Sequence, residues 1–475
     1  MRQSRFPIYF MLAMILLATG CTGKEELPPQ QPPVEETAAE TPGEPEVPEE
    51  PQNPEEPETP ETPEEPETPE EPEMPEEPET PEEPETPEVP EEPETPEEPE
   101  KPSFNTLGTG LRTLYINTPD GHGIYSKEDW TENCTMILVN DEGTVFYENN
   151  QVSMKGRGNS TWTYPKKPYA LKLPSKEDLI GTGADKRWVL LANWMDRTLL
   201  RNDVSFEIAR RTSLEWTPSG EFVELFLNGV HQGNYWLGEK IKTGKARLKA
   251  DYLIEMDTYY DAAWRFYSQY GLRVNQQKTG MPIGVKEPDE DEMDETRLNA
   301  LKELVHHAET ALYLGTEDWK EKMDMGSFID WFLVHELTYN GEPNHPKSCY
   351  FYFRDGKMYA GPVWDFDWFT FQTRTSGFFI AHSIYYEKMF QDPSFVQALK
   401  TRWAELKPLL SGIPDYIDAK AGEISISEAL NWRMWPCTSS RVNGDEWMTF
   451  SQAVSLMKGA YSARVQVLDT AISKL

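Results

Sequence analysis

From Glu25 to Pro102 the chain runs through a near-perfect PEEPET repeat with almost no apolar residue. Such a stretch has nothing to bury and cannot offset the entropy lost on ordering, so it is predicted to be disordered. Proline at about every third position favours polyproline II, at roughly 3.1 Å per residue, and like charges extend it further. Residues 21–102 therefore read as a stalk with a reach on the order of 200 Å. Folding is confined to residues 103–475, and much of the charge is confined elsewhere. Of the formal net charge of −37, residues 24–101 hold −30, from 32 Glu against Lys24 and Lys101. With Arg2 and Arg5 in the first 23 residues, −9 is left for residues 102–475. The folding part is only mildly acidic. The overall charge speaks against a nucleic-acid partner, but it is mostly a property of the repeat.

The first 21 residues, MRQSRFPIYFMLAMILLATGC, place basic residues ahead of an apolar run from Phe6 to Leu17 and small residues before Cys21. That is the pattern of an export signal over residues 1–20, too short for a membrane span. Ala18-Thr19-Gly20-Cys21 resembles a bacterial lipobox, with Ala18 where Leu is usual, which implies a lipidated Cys21 and a membrane anchor; a simple secreted protein is the alternative. Lys24-Glu25-Glu26 resembles the export tags of Bacteroides-type surface lipoproteins and points to the outer-membrane cell surface. Cys134, Cys349 and Cys437 remain, too few for a disulfide scaffold. HELTY at 335–339 begins like a zinc-protease helix, but Tyr339 occupies the second His position, which disfavours that chemistry.

Strand patterns dominate the first half of residues 103–475: TMILVN (135–140), QVSMKGRGN (151–159), YALKL (169–173), WVLLAN (188–193), then EFVELFLNG and GNYWLGEKI around a turn. A helix over Thr198–Arg211 interrupts them, and DYLIEMD and MPIGVKEP close the half. Helices are predicted over Thr296–Leu314, Ser327–Tyr339, Ser394–Leu410, a long stretch around 415–432, and 449–473. Between the second and third lies the hairpin SCYFYFRDGKMYAGPVWDFD, turned by Asp355-Gly356. Strands first and helices second make an α+β fold, read as two lobes with a cleft between them.

Three stretches carry chemistry. PVWDFDW sets Asp365 and Asp367 two positions apart among Trp364, Phe366 and Trp368; in an extended segment they share one face. Two unpaired carboxylates are costly to bury, and a divalent cation removes that cost because carboxylate oxygens are the ligands Mg²⁺ takes. The alternative is a solvated loop. KGRGNSTW (155–162) is a Gly-punctuated basic turn that offers backbone N–H groups and Arg157 to an anion, or a strand-end bulge. KKPYALKL supplies Lys166, Lys167 and Lys172, any of which could hold a phosphate or be solvated. Glu239, after GNYWLG, could pair with such a Lys or end a surface strand.

The order KGRGNSTW, KKPYALKL, NWMDRTLLRN, FLNGVHQGNYWLGEKI and DWFLVHELTYNGEPNHPKSCYFYFRDGKMYAGPVWDFDW resembles the CotH (spore coat protein H) kinase family over about Gly110 to Trp435. The resemblance implies a divergent, two-lobed protein-kinase-like fold that uses ATP and Mg²⁺, with Mn²⁺ as a substitute, to phosphorylate Ser or Thr of exported proteins. It implies that Asp365 binds metal with Asp367 as companion, and that Lys172 binds phosphate; the residue reading adds Arg157 and Glu239 to the nucleotide- and phosphate-binding set. Two positions depart from the family pattern. Glu342 stands where an Asp is expected about two dozen residues before the metal Asp, and Ser348 where an Asn is expected. Phosphotransfer rests on placement and charge neutralisation, and an error of about 1 Å can cost on the order of a hundredfold.

Three functions are open to this sequence. The first is a monomeric, surface-anchored kinase with Glu342 orienting the acceptor hydroxyl, Asp365, Asp367 and Ser348 at the metal, and an exported protein as substrate. The second is a catalytically degenerate binding module or adhesin on a stalk, to which 15 Trp and 21 Tyr lend support. The third is a glycosidase pairing Glu342 with an Asp, which the family resemblance speaks against. If Cys21 is the anchor, Cys21→Ser should move the protein from the membrane to the soluble fraction; retention in the membrane would make the apolar run a span instead.

Overall fold

The computed structural model describes residues 104, 106–274, 277–373, 377–437 and 443–475, without side chains over 271–279; the export signal, Cys21 and the stalk lie outside the described residues. Strands β1 (Arg112–Asn117), β2 (Thr131–Val139), β3 (Val145–Gly156), β4 (Tyr169–Glu177), β5 (Asp185–Leu191), β6 (Gly220–Leu227) and β7 (Val230–Glu239) close into a barrel in the order β1-β2-β3-β4-β5-β7-β6, sealed by a parallel β1–β6 pair. Its lumen follows from alternation. Leu171 and Leu173 of β4, and Trp188 and Leu190 of β5, point inward with Leu114, Met136, Val152, Leu225 and Leu237, while Ala170, Lys172 and Val189 face out. Helix α1 (Ser160–Thr163) follows β3, and α2 (Arg201–Arg210) connects β5 to β6.

A second sheet has the order β12-β11-β8-β10-β9, built from β8 (Tyr252–Met256), β9 (Arg265–Val274), β10 (Gln277–Glu287), β11 (Cys349–Arg354) and β12 (Lys357–Ala360). Helices α3 (Glu295–Leu314), α4 (Trp319–Lys322) and α5 (Met325–Thr338) separate β10 from β11. Then come α6 (Tyr386–Met389), α7 (Pro393–Leu409), α8 (Ile413–Glu423), α9 (Ser425–Met434) and α10 (Phe450–Ser473). Asp294 and Asp324 cap α3 and α5 by accepting from Arg297 N and Ser327 N, and Thr449 with Gln452 forms a capping box on α10. A large core gathers around α5, where Trp331, Phe332 and Leu333 are fully buried. Among the described residues no helix is long and apolar enough to cross a membrane.

The mixed α+β character agrees with the sequence patterns, and the Asp355-Gly356 turn has φ of 51° and 75°, as a two-residue hairpin turn requires. Other expectations are corrected. β1 and β9 had no counterpart in the sequence reading, and the strand-rich part is a closed seven-stranded barrel followed by a second sheet. The stretch at 415–432 is two helices that meet at Ile424. The helix expected from Thr198 starts at Arg201, because Asp196 Oδ1 accepts from the Thr198 N–H and hydroxyl at 2.8 and 2.6 Å and holds a turn there.

The HELTY segment is structural. His335 is buried on α5, its Nδ1 lies 2.9 Å from Trp331 O, and burial pushes its pKa down to about 3; Tyr339 ends the helix at φ 55°. Glu336 accepts from Phe379 N and Ile380 N, both at 2.8 Å, and pairs with the buried Arg464 of α10, whose Nε donates to Glu336 O at 2.8 Å. Removing one member strands the other charge in the core. Glu336→Ala should therefore lower unfolding free energy by about 3–5 kcal/mol in denaturant titrations; a loss near zero would show that the pair is not needed.

Candidate functional site

A cavity of about 1020 Å³ is lined on one side by the outer face of the barrel and on the other by the second sheet. The barrel side gives Lys155 to Ser160 at the end of β3, Ala170 of β4, and Arg187 and Val189 of β5. Facing them stand Glu255 and Asp257 at the end of β8, Lys286 of β10, Glu342, Ser348, Tyr350, and Asp365 and Asp367 of the loop after β12.

That loop is held by its aromatic residues. Phe366 is fully buried, with its ring 6.3 Å from that of Phe206 on α2, and Trp364 stacks on the same Phe206 ring at 5.6 Å. Three buried asparagines then fix the backbone around the acids. Asn202 of α2 accepts from Phe366 N at 2.7 Å while donating to Asn193 Oδ1 at 3.0 Å. Asn340 donates to Asp365 O at 3.2 Å, and Asn443 donates to Asp367 O at 2.9 Å. The segment is irregular rather than extended. Asp365 has φ 65° and Ser348 φ 49°, conformations uncommon outside glycine, and Ser348 Oγ donates to Asp365 Oδ2 at 3.1 Å.

Electrostatics here are dominated by crowded acids. Burial, then the neighbouring Asp365 and Asp196, hold the Asp367 carboxyl well above the usual carboxylate range. Glu342 is pushed up to about 8, first by burial and then by Asp365, with Lys347 opposing. Its Oε2 is buried without a hydrogen-bond partner. His345 Nε2 lies 3.8 Å away, too far for a hydrogen bond, and burial and Lys347 lower the pKa of that imidazole, which keeps it neutral near pH 7. Asp257 rises to about 6 through burial and Glu255. On the positive side, Lys286 pairs with Glu255 at 2.6 Å, and the Arg157 guanidinium lies 5.4 Å from the centre of the Trp364 ring.

These oxygens suit a hard cation. Like charges that depress each other's ionisation, together with an orphaned buried carboxylate oxygen, are relieved by a divalent ion. Among the described residues no group of three or more His, Cys, Asp or Glu forms a ready ligand set. A two-carboxylate site completed by phosphate oxygens and water is the arrangement Mg²⁺ commonly takes.

Of the residues singled out in the sequence, Arg157, Glu342, Ser348, Asp365 and Asp367 line one cavity. Lys172 and Glu239 are not brought to it. Lys172 is exposed on β4, two residues beyond Ala170 and past the lining. Glu239 is buried in a structural knot instead: it pairs with Arg247 at 2.7 Å and accepts from the Thr182 hydroxyl at 2.8 Å and Ser219 N at 3.0 Å. Lys166 does border the cavity but is structural, donating to Ala192 O at 2.8 Å and to Asn234 O, with its pKa pushed down to about 7 by burial. Sequence reasoning missed Asn202, Asn340, Asn443 and Asp257. Asn202 and Asn340 stood inside quoted blocks, NWMDRTLLRN and HELTYNGEPNH, and an amide type that is rarely buried was the available signal.

No curated protein matches the chain. The family model described as CotH kinase protein matches residues 154–467, a span that takes in every cavity acid described above and most of α10. That span is well over half of the 475 residues, and the chain belongs to the CotH kinase family.

Proposed function

We propose that residues 103–475 form an ATP- and Mg²⁺-dependent protein kinase that phosphorylates Ser or Thr of exported proteins, carried at the cell surface by a lipidated Cys21 and the stalk. The observation that carries the reading is the meeting of Asp365, Asp367, Glu342 and Arg157 in one cavity, in a chain of this family. Bound Mg²⁺–ATP would supply the transferable phosphoryl group and neutralise charge on its oxygens. Asp365 and Asp367, with the Ser348 hydroxyl, would hold the metal ion, and Arg157 would hold phosphate oxygens. Glu342 would accept the proton of the acceptor hydroxyl. With a pKa of about 8 it is mostly protonated at neutral pH in the metal-free protein, and positive charge entering the cavity lowers that value.

The catalytically degenerate binding module is the second reading. It is favoured by the protonated state of Glu342 and by the Ser348 hydroxyl being engaged with Asp365. Phosphotransfer from labelled ATP separates the two: incorporation into any exported acceptor supports the kinase, and Mg²⁺–ATP binding without incorporation supports the module.

Two outcomes are expected. Asp365→Asn should weaken Mg²⁺-dependent ATP binding by about tenfold or more, whereas Glu342→Gln should abolish transfer and leave binding within about threefold, because a base acts on the acceptor rather than on the nucleotide. Calorimetric titration read beside the transfer assay checks both.

The pH dependence follows from sign. Folded Glu342 keeps a proton up to about pH 8, while the unfolded chain releases it near 4.5, so the folded state binds more protons between those values. Stability of the metal-free protein should therefore fall as pH rises from about 4.5 to 8, and Glu342→Gln should flatten that slope in melting curves taken across the window. A slope unchanged in the variant would assign it to other groups.

A further inference from the structure

The barrel wall of the cavity carries a row of cations that this chemistry leaves unused. Lys172 of β4 pairs across the ladder with Arg187 of β5. Arg187 precedes Trp188, whose ladder partner is Glu239, so Lys240 comes next along the row. Lys155 pairs with Ala170 one pleat closer to Arg157 and faces the same way. Arg187, Lys240 and Lys155 line the cavity, and Lys172 is exposed beside Arg187, past the lining. Trp130 lies between two of them, its ring centre 5.0 Å from Lys155 Nζ and 5.1 Å from Arg187.

Like charges side by side across strands destabilise a sheet. Burial, and then Arg187, lower the Lys240 pKa, while Glu287 and Asp289 oppose more weakly. Among the described residues none of these four cations forms an ion pair, whereas nearby Arg247 and Lys286 each have one. A row of this kind is a site for an oxyanion. The kinase reading puts the reacting phosphoryl group with the carboxylates and Arg157 instead, further along the strand direction than Lys172, Arg187 and Lys240. Arg157, the residue after β3, is four residues from Ser153, the partner of Lys172, which is about 13 Å at roughly 3.3 Å per residue.

We propose that this row binds an acidic side chain of the acceptor polypeptide, so that the acceptor carries a carboxylate or phosphorylated residue about four extended residues from its reacting hydroxyl. The position of the hydroxyl rests on the kinase reading; the anion site does not.

The test uses the full chain and fluorescein-labelled peptides of twelve residues, each with one Thr and with Glu, phosphoserine, Ala or Lys four residues to either side. Anisotropy without nucleotide should show Glu and phosphoserine peptides binding about tenfold or more tightly than Ala, with Lys weakest. A stronger response to phosphoserine than to Glu would identify a phosphorylated acceptor as the source of the anion. Arg187→Glu and Lys240→Glu should erase the preference and favour the Lys peptide, a gain that misfolding cannot produce. Equal binding of all peptides overturns the proposal. So does a loss of Mg²⁺–ATP affinity in these variants with peptide preference intact, which would make the row part of the nucleotide site. Acid-selective binding without phosphorylation would remove the kinase reading and leave the anion site standing, whereas phosphorylation indifferent to the acid would do the reverse.

Discussion

The hydrogen bond from Phe366 N to Asn202 Oδ1 fixes the peptide between Asp365 and Asp367, and the arrangement of the cavity depends on it. A loop with two acids and positive φ values has no ladder to hold it. Its backbone groups are satisfied by amide side chains from α2, from the end of α5 and from Asn443 ahead of α10. Each is buried, so each bond forms where water cannot compete. Asn202 is fixed in turn by its neighbours: Arg201 is buried between Asp196 and Asp445 and ties the start of α2 to the segment before α10. The acids are thus positioned by three distant parts of the chain at once, which favours a single geometry over a flexible one.

That geometry is electrostatically expensive while the cavity holds no cation. Asp367 and Glu342 are driven toward their neutral forms by burial and by the neighbouring Asp365, against which Arg157 brings positive charge to Asp367 and Lys347 to Glu342. A protein with no use for these groups could relieve the cost by one substitution to an amide. Their presence in one place, beside a barrel wall whose row of cations forms no ion pair among the described residues, fits a cavity that receives a metal ion and anionic ligands together.

Much of this was legible in the sequence, for definite reasons. The acids announced themselves because WDFDW puts charge where an apolar run would bury itself, and the hairpin before them was readable from Asp-Gly between aromatic strands. Most strands of the barrel were readable as runs of strand-forming residues, whereas its closure, made by the long-range β1–β6 pair, was not. Lys172 and Glu239 lie outside the cavity for different reasons: Lys172 is on the outer face but beyond the part that lines the cavity, whereas Glu239, the ladder partner of the inward-pointing Trp188, is on the opposite face. β9 was hidden because RFYSQYGLRV lacks a clean alternation and pairs through an irregular register with β10. The residue type of Asn202 and Asn340 was the only signal for the asparagine clamp, and their meeting with Asn443 at the loop was not readable, since it forms only through long-range packing.

The central claim is that Asp365 and Asp367 form a metal site completed by nucleotide phosphates. Electron paramagnetic resonance of Mn²⁺ titrated into the full chain, with and without ATP, tests it most directly. The account predicts one protein-bound Mn²⁺ per chain whose affinity rises with ATP and is lost in Asp365→Asn. A spectrum of free or merely nucleotide-bound Mn²⁺, the same in the wild type and the variant, would contradict it.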